Sequence, residues 1–159
     1  MAKLRQHSLI LSIVTAIILP VAAHAADGPA LKLKTSIEDV NGVREIEAGE
    51  YVAGIRKTLA ALNMSSAPSR RAPLLNNLCV AHIATGNLST AQQSCNDAVA
   101  SAAGSAIAYN NRAVYYCLAD RADACHADLE KAQQLSKEHR LIRQNLNAVA
   151  DSDLLVSSQ

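Results

Sequence analysis

Between residues 75 and 98 apolar and small side chains recur every three or four positions, the spacing of one face of an α-helix. Leu75, Leu78, Cys79, His82 and Ile83 form one stripe, and Leu88, Ala91, Cys95 and Ala98 form the next. Gly86-Asn87 interrupts the pattern between them, so the segment reads as helix, tight turn, helix. Nowhere do β-branched residues form a strand-like alternating run, and the fold class predicted is all-α.

The hairpin repeats. A shift of 34 residues lays Asn76-Asn77-Leu78-Cys79-Val80 over Asn110-Asn111-Arg112-Ala113-Val114, with a weaker echo at Gln144-Asn145-Leu146-Asn147-Ala148. The same shift superposes Ala84-Thr85-Gly86-Asn87-Leu88 on Leu118-Ala119-Asp120-Arg121-Ala122, and Cys95-Asn96-Asp97-Ala98 on Leu129-Glu130-Lys131-Ala132. A period of this length, carried through both helices and the turn, is the signature of a stacked helical array.

These residues resemble the tetratricopeptide repeat family, whose hairpins carry small residues at the eighth, twentieth and twenty-seventh positions. Cys79, Ala91 and Ala98 fill them in the first unit, and Ala113, Cys125 and Ala132 in the second. Two helices cross closely there, and larger side chains force them apart. Three features depart from the family pattern: Arg112 stands at a usually apolar place, Asp120 replaces the turn Gly, and the closing Pro is missing.

The resemblance implies a short α-solenoid of antiparallel hairpins, about two and a half repeats and a C-terminal capping helix. Residues 44–64, introduced by Gly49-Glu50-Tyr51, read as a partial hairpin whose first helix is cut short by the Asn41-Gly42 turn signal. Residues 70–102 form repeat 1, 105–136 repeat 2, and 137–150 the capping helix, with Leu141, Ile142, Leu146 and Val149 inward. Ser65 to Pro73 reads as the longest interior loop, residues 26–43 as a mostly irregular leader, loose from Asp27 to Leu33, and 151–159 as a frayed tail.

The first 25 residues change the setting. Lys3 and Arg5 precede an uncharged apolar run from Leu9 to Leu19, then Pro20 and a small-residue stretch ending Ala23-His24-Ala25. Those are the three parts of a secretory signal peptide cut after Ala25. As a membrane anchor the run is short of the ~20 residues a spanning helix needs. Expected localisation is the periplasm of a Gram-negative cell, with no membrane span after cleavage. Without the first 25 of 159 residues, 134 remain, enough for one domain. Loss of Lys3 and Arg5 leaves 13 basic against 14 acidic residues, with no like-charge block beyond Arg70-Arg71, so nothing draws nucleic acid or an anionic membrane. Absence of Trp and Phe further argues against a base-stacking surface or a deep ligand pocket.

All four cysteines follow the predicted cut, and an even count in an exported chain reads first as disulfides. Facing residues of an antiparallel hairpin have numbers adding to a constant. Cys79 and Cys95 centre on residue 87 and Cys117 and Cys125 on residue 121, the same turn position one period apart. The expected pairing is therefore Cys79–Cys95 and Cys117–Cys125, with Cys95–Cys125 across neighbouring second helices as the rival. A metal site using Cys79 with His82, or Cys125 with His126, is the alternative. It lacks CxxC spacing, and Cys125 and His126 point about 100° apart on a helix. A redox-active pair would also want CxxC. No metal or other cofactor is expected.

No Ser-His-Asp set, Gly-rich phosphate loop or HExxH motif is present, and no catalytic residue is predicted. His82 reads as a core histidine, and Asp120 and Asp123 as a cap pair at the second turn. The resemblance places a concave groove along the first helices, lined by Asn76, Asn77, Val80 and Ile83, then Asn110, Asn111, Val114 and Cys117 or Leu118, then Gln144 and Asn145. A ladder of side-chain amides suits a peptide backbone, since each amide both donates and accepts. Alternatively, Asn77, Asn111 and Asn145 bond neighbouring helices only. Family members that clamp a C-terminal carboxylate carry Lys and Arg where this chain has Asn76, Val80 and Leu141. The expectation is a non-catalytic module binding a periplasmic protein or peptide, the alternative a small redox or metal-binding protein.

Overall fold

A computed structural model of the chain describes residues 30–157, with side chains as far as Asp151. The expected signal peptide, residues 1–25, lies outside the described residues. Among the described residues there are seven helices, in order α1 (Val43–Glu47), α2 (Tyr51–Asn63), α3 (Pro68–Ala84), α4 (Leu88–Ser101), α5 (Ala106–Leu118), α6 (Ala122–Leu135) and α7 (Arg140–Ser157). No strand occurs among the described residues, and none of these helices is long and apolar enough to cross a membrane. The architecture is a tetratricopeptide-like array of antiparallel hairpins, α1/α2, α3/α4 and α5/α6, with α7 stacked on the last.

The small residues sit where the hairpins close. Cys79, Ala91, Ala98, Ala113, Cys125 and Ala132 are all fully buried at the crossings. Backbones approach far enough for disulfides: Cys79 is bonded to Cys95 with Cα atoms 4.7 Å apart, and Cys117 to Cys125 at 5.2 Å. Both are the pairings expected from symmetry about the turn, and no described cysteine is free. Two stapled hairpins fit an oxidising compartment. In the short first hairpin, glycines take over the small-residue role. A Cβ on Gly54 would lie 2.6 Å from Ile46 Cγ1, and buried Thr58 donates to the carbonyls of Asn41 and Gly54.

Four expectations are corrected. The interior loop of Ser65 to Pro73 is mostly helix, because Pro68 takes the first helical position, where its missing N–H costs nothing. Pro73 forfeits one later bond without ending α3. Arg71 secures the shortened connection by donating to the carbonyls of Leu62 and Ser65 at 3.0 and 2.9 Å. Second, α7 runs to Ser157, through most of the expected tail, since no Gly or Pro interrupts it. Third, Asp120 and Asp123 do not cap α6: its N-cap is Arg121 and no side-chain cap bond forms. Asp120 instead adopts the left-handed conformation, φ 54°, that Gly86 adopts one period earlier at 71°. Asp tolerates that region better than most residues. Fourth, the leader is held in place from Lys32 to Ser36.

Arg112, at a usually apolar place, is explained by its neighbours. Its guanidinium donates in a fork to both carboxylate oxygens of Asp128 on α6, at 2.7 and 2.9 Å, and to Asn96 Oδ1 on α4 at 3.3 Å. The Tyr109 and Tyr116 rings flank it at 5.4 and 5.6 Å. Bidentate pairing raises the Arg112 pKa further.

Candidate functional site

The first helices of successive units, α3 and α5, and then α7, present one face to a common groove. A period of 34 residues places an Asn-Asn pair at the same height on α3 and α5, and Asn145 on α7. Asn77, Asn110, Asn111 and Asn145 are 0–1% exposed and Asn76 is 6% exposed. So many buried amides require partners, because an unpaired one costs about 1–3 kcal/mol.

The partners come from the chain's own leader, extended across the groove. Lys32 N–H donates to Asn145 Oδ1 at 2.8 Å, and Asn145 Nδ2 returns a bond to the Lys32 carbonyl at 2.9 Å. Two residues on, Lys34 N–H donates to Asn111 Oδ1 at 3.0 Å and Asn111 Nδ2 returns one to the Lys34 carbonyl at 2.7 Å. Two further, Ser36 N–H donates to Asn77 Oδ1 at 2.8 Å. Asn110 and Asn76 add second donors to the Lys32 and Lys34 carbonyls, each at 3.1 Å. The leader therefore runs from α7 to α3, opposite to the order of the repeats, and each repeat reads alternate leader residues.

The amides do both things considered for them. Besides bonding the leader, Asn111 Nδ2 donates to Asn76 Oδ1 at 2.9 Å and Asn145 Nδ2 to Asn110 Oδ1 at 2.8 Å, so each pair also ties one inner helix to the next. Asn77 ends the series. The preceding unit has no Asn on α1 to accept from it, and Asn77 Nδ2 is buried without a partner.

Side chains of the leader alternate. Leu31 packs against the clusters containing Val114 and Tyr115 and containing Leu129 and Val149. Leu33 packs with Val80 and Ile46 and with the Val114 cluster. Thr35 is buried and donates to Glu47. Lys32 and Lys34 are exposed. This is the period of a half-buried strand, and Leu31-Lys32-Leu33-Lys34-Thr35 displays it in the sequence. The run is short and lacks β-branched residues before Thr35, so by its sequence pattern alone the leader reads as loose.

Of the predicted groove residues, Asn76, Asn77, Val80, Ile83, Asn110, Asn111, Val114 and Asn145 are buried. Asn76, Asn77, Asn110, Asn111 and Asn145 bond the leader, while Val80, Ile83 and Val114 belong to clusters that Leu31 or Leu33 packs against. Leu118 does not join them: at the end of α5, past the leader, it is 51% exposed. Gln144, at the register of Asn76 and Asn110, faces a surface hollow with Gln133, Arg140 and Arg143. Cys117 is held in its disulfide. Beyond Ser36 the groove opens into a hollow of about 300 Å³ walled by Ala72, Pro73, Asn76, Ala98 and Ile107, and Ile37 stands 89% exposed at its edge.

His82 is half-buried, and burial holds its imidazole below the usual range. No cluster of three or more His, Cys, Asp or Glu with metal-binding geometry occurs among the described residues.

No protein-family model matches the chain, and no curated protein matches it. Among solved structures the fold is similar to the first TPR domain of Spaghetti (RPAP3) bound to the HSP90 peptide SRMEEVD, with a TM-score of 0.62. Sequence identity is 19%, over 70% of this chain and 86% of that one. At that identity the likeness establishes the fold, and the fold of this chain is TPR-like.

Proposed function

We propose that the chain is a non-catalytic module that binds an extended segment of a periplasmic protein or peptide in the groove along α3, α5 and α7. One observation carries this reading. Buried amides, repeated with the array, donate to and accept from the backbone of an extended segment at alternate residues. Backbone recognition of this kind gives affinity for any extended chain, and pockets for alternate side chains add selectivity. The groove holds a peptide in cis, and the similar RPAP3 domain holds one in trans. The periplasmic setting is supported by the amino-terminal sequence, with a cleavage site after Ala25, and by the two disulfides. The disulfide sulfurs belong to a tightly packed region, Cys79, Cys95 and Cys125 being fully buried, which favours a stapling role over thiol exchange.

The test is partner capture by cross-linking in the intact periplasm, comparing wild type with the Asn76→Ala/Asn110→Ala variant. A specific partner is expected, and it is lost from the variant. A partner retained at wild-type yield would move the binding site away from the groove.

A further inference from the structure

The leader satisfies the groove so fully that any partner in trans must displace it. We propose that residues Leu31 to Ser36 are a built-in competitive ligand, and that the partner is an extended segment of the same pattern: two branched apolar side chains two residues apart, then a small hydroxyl residue. This rests on the peptide-binding reading above and adds the ligand class and the regulation.

The pattern follows from the contacts. Positions 32, 34 and 36 are read through their backbones, so their side chains are unconstrained, and Lys32 and Lys34 point to solvent. Positions 31 and 33 fill apolar sites between inner helices, and position 35 places a hydroxyl on Glu47. Orientation is set too, because α7 takes the amino-terminal end and α3 the carboxy-terminal end.

Competition follows from the tether. Leader and α1 are joined by Ile37 to Gly42, and a short linker holds a ligand at an effective concentration of about a millimolar. A free peptide making the same contacts then competes only near that concentration, and apparent affinity falls by the fraction of time the groove is open. The leader is built for release: its polar bonds to the helices all run to helix side chains, and no described helix or strand includes it.

The probe is a fluorescent peptide of residues 30–37 sequence, titrated by anisotropy into the exported full chain. L31D/L33D, which destroys the leader's apolar anchors, is expected to bind the probe at least about tenfold more tightly than wild type. Adding Asn111→Ala and Asn145→Ala abolishes that binding. A probe with Lys32 and Lys34 changed to Glu binds equally well, and one with both Leu changed to Asp does not bind. Equal affinity for wild type and L31D/L33D would overturn the competition while leaving the groove a peptide site. Absence of binding to a folded L31D/L33D chain would remove the peptide-binding reading as well. Hydrogen exchange on wild type tests the release independently of any variant. The Lys32, Lys34 and Ser36 amides should exchange at least about tenfold faster than the slowest amides of α3 and α5. Exchange only through global unfolding would make the leader a fixed strap and overturn the proposal.

Discussion

Asp120 and Gly86 are the same turn position one period apart, and both have positive φ. A side chain in that region costs roughly 1–2 kcal/mol, less for Asp. A Cβ at Gly86 would meet nothing within 4 Å, so the cost there is conformational and not steric. Replacing Asp120 by Gly is accordingly expected to stabilise the chain by about 0.5–1 kcal/mol, and Gly86→Ala to destabilise it by about 1 kcal/mol. Urea unfolding of the two variants checks both signs. The departure from the usual turn Gly is visible in the sequence; that Asp120 supplies a conformation and not a cap is not. Capping depends on where the preceding helix ends and on backbone direction, which residue type alone leaves open.

At the scale of the elements, the fork between Arg112 and Asp128 joins α5 to α6, and Asn96 brings in α4. Asp128 is 7% exposed, so a carboxylate left there alone pays a desolvation cost. Arg112→Leu should destabilise by about 2–3 kcal/mol, whereas Arg112→Leu/Asp128→Leu should recover most of the loss. A double-mutant cycle by chemical denaturation measures the coupling. Strictly additive losses, with nothing recovered in the double variant, would show that the two side chains do not act as a pair. The resemblance to the tetratricopeptide pattern marks Arg112 as out of place. Helical spacing could not supply the reason, because Asp128 and Asn96 each lie 16 residues away along the chain: Asp128 meets Arg112 when the α5/α6 hairpin closes, and Asn96 when α4 packs on α5.

For the whole molecule, the leader links three inner helices that otherwise meet only their neighbours, so it couples the two ends of a short array. Asn111 is central, serving both Lys34 backbone groups and Asn76. Truncation to Ala strands several polar groups at once, and a loss of about 2–4 kcal/mol is expected by equilibrium unfolding. Asn77→Ala, which removes one leader bond and one unpartnered donor, should cost less. Equal losses at the two positions would mean that the ladder does not couple the array.

The hairpin is legible in the chain without its fold: helical spacing, a period of 34 and small residues at the crossings are local or periodic, so they survive without knowledge of distant contacts. Cysteine positions symmetric about each turn carried the disulfide pairing for the same reason, since a hairpin relates its residues by number alone. The Asn ladder was legible as a row of polar groups on one face. Its occupant emerges only when the chain is packed. Lys32 meets Asn145 across 113 positions of chain, through backbone groups that every residue possesses, and such a bond leaves no mark on the identity of the residue that is read.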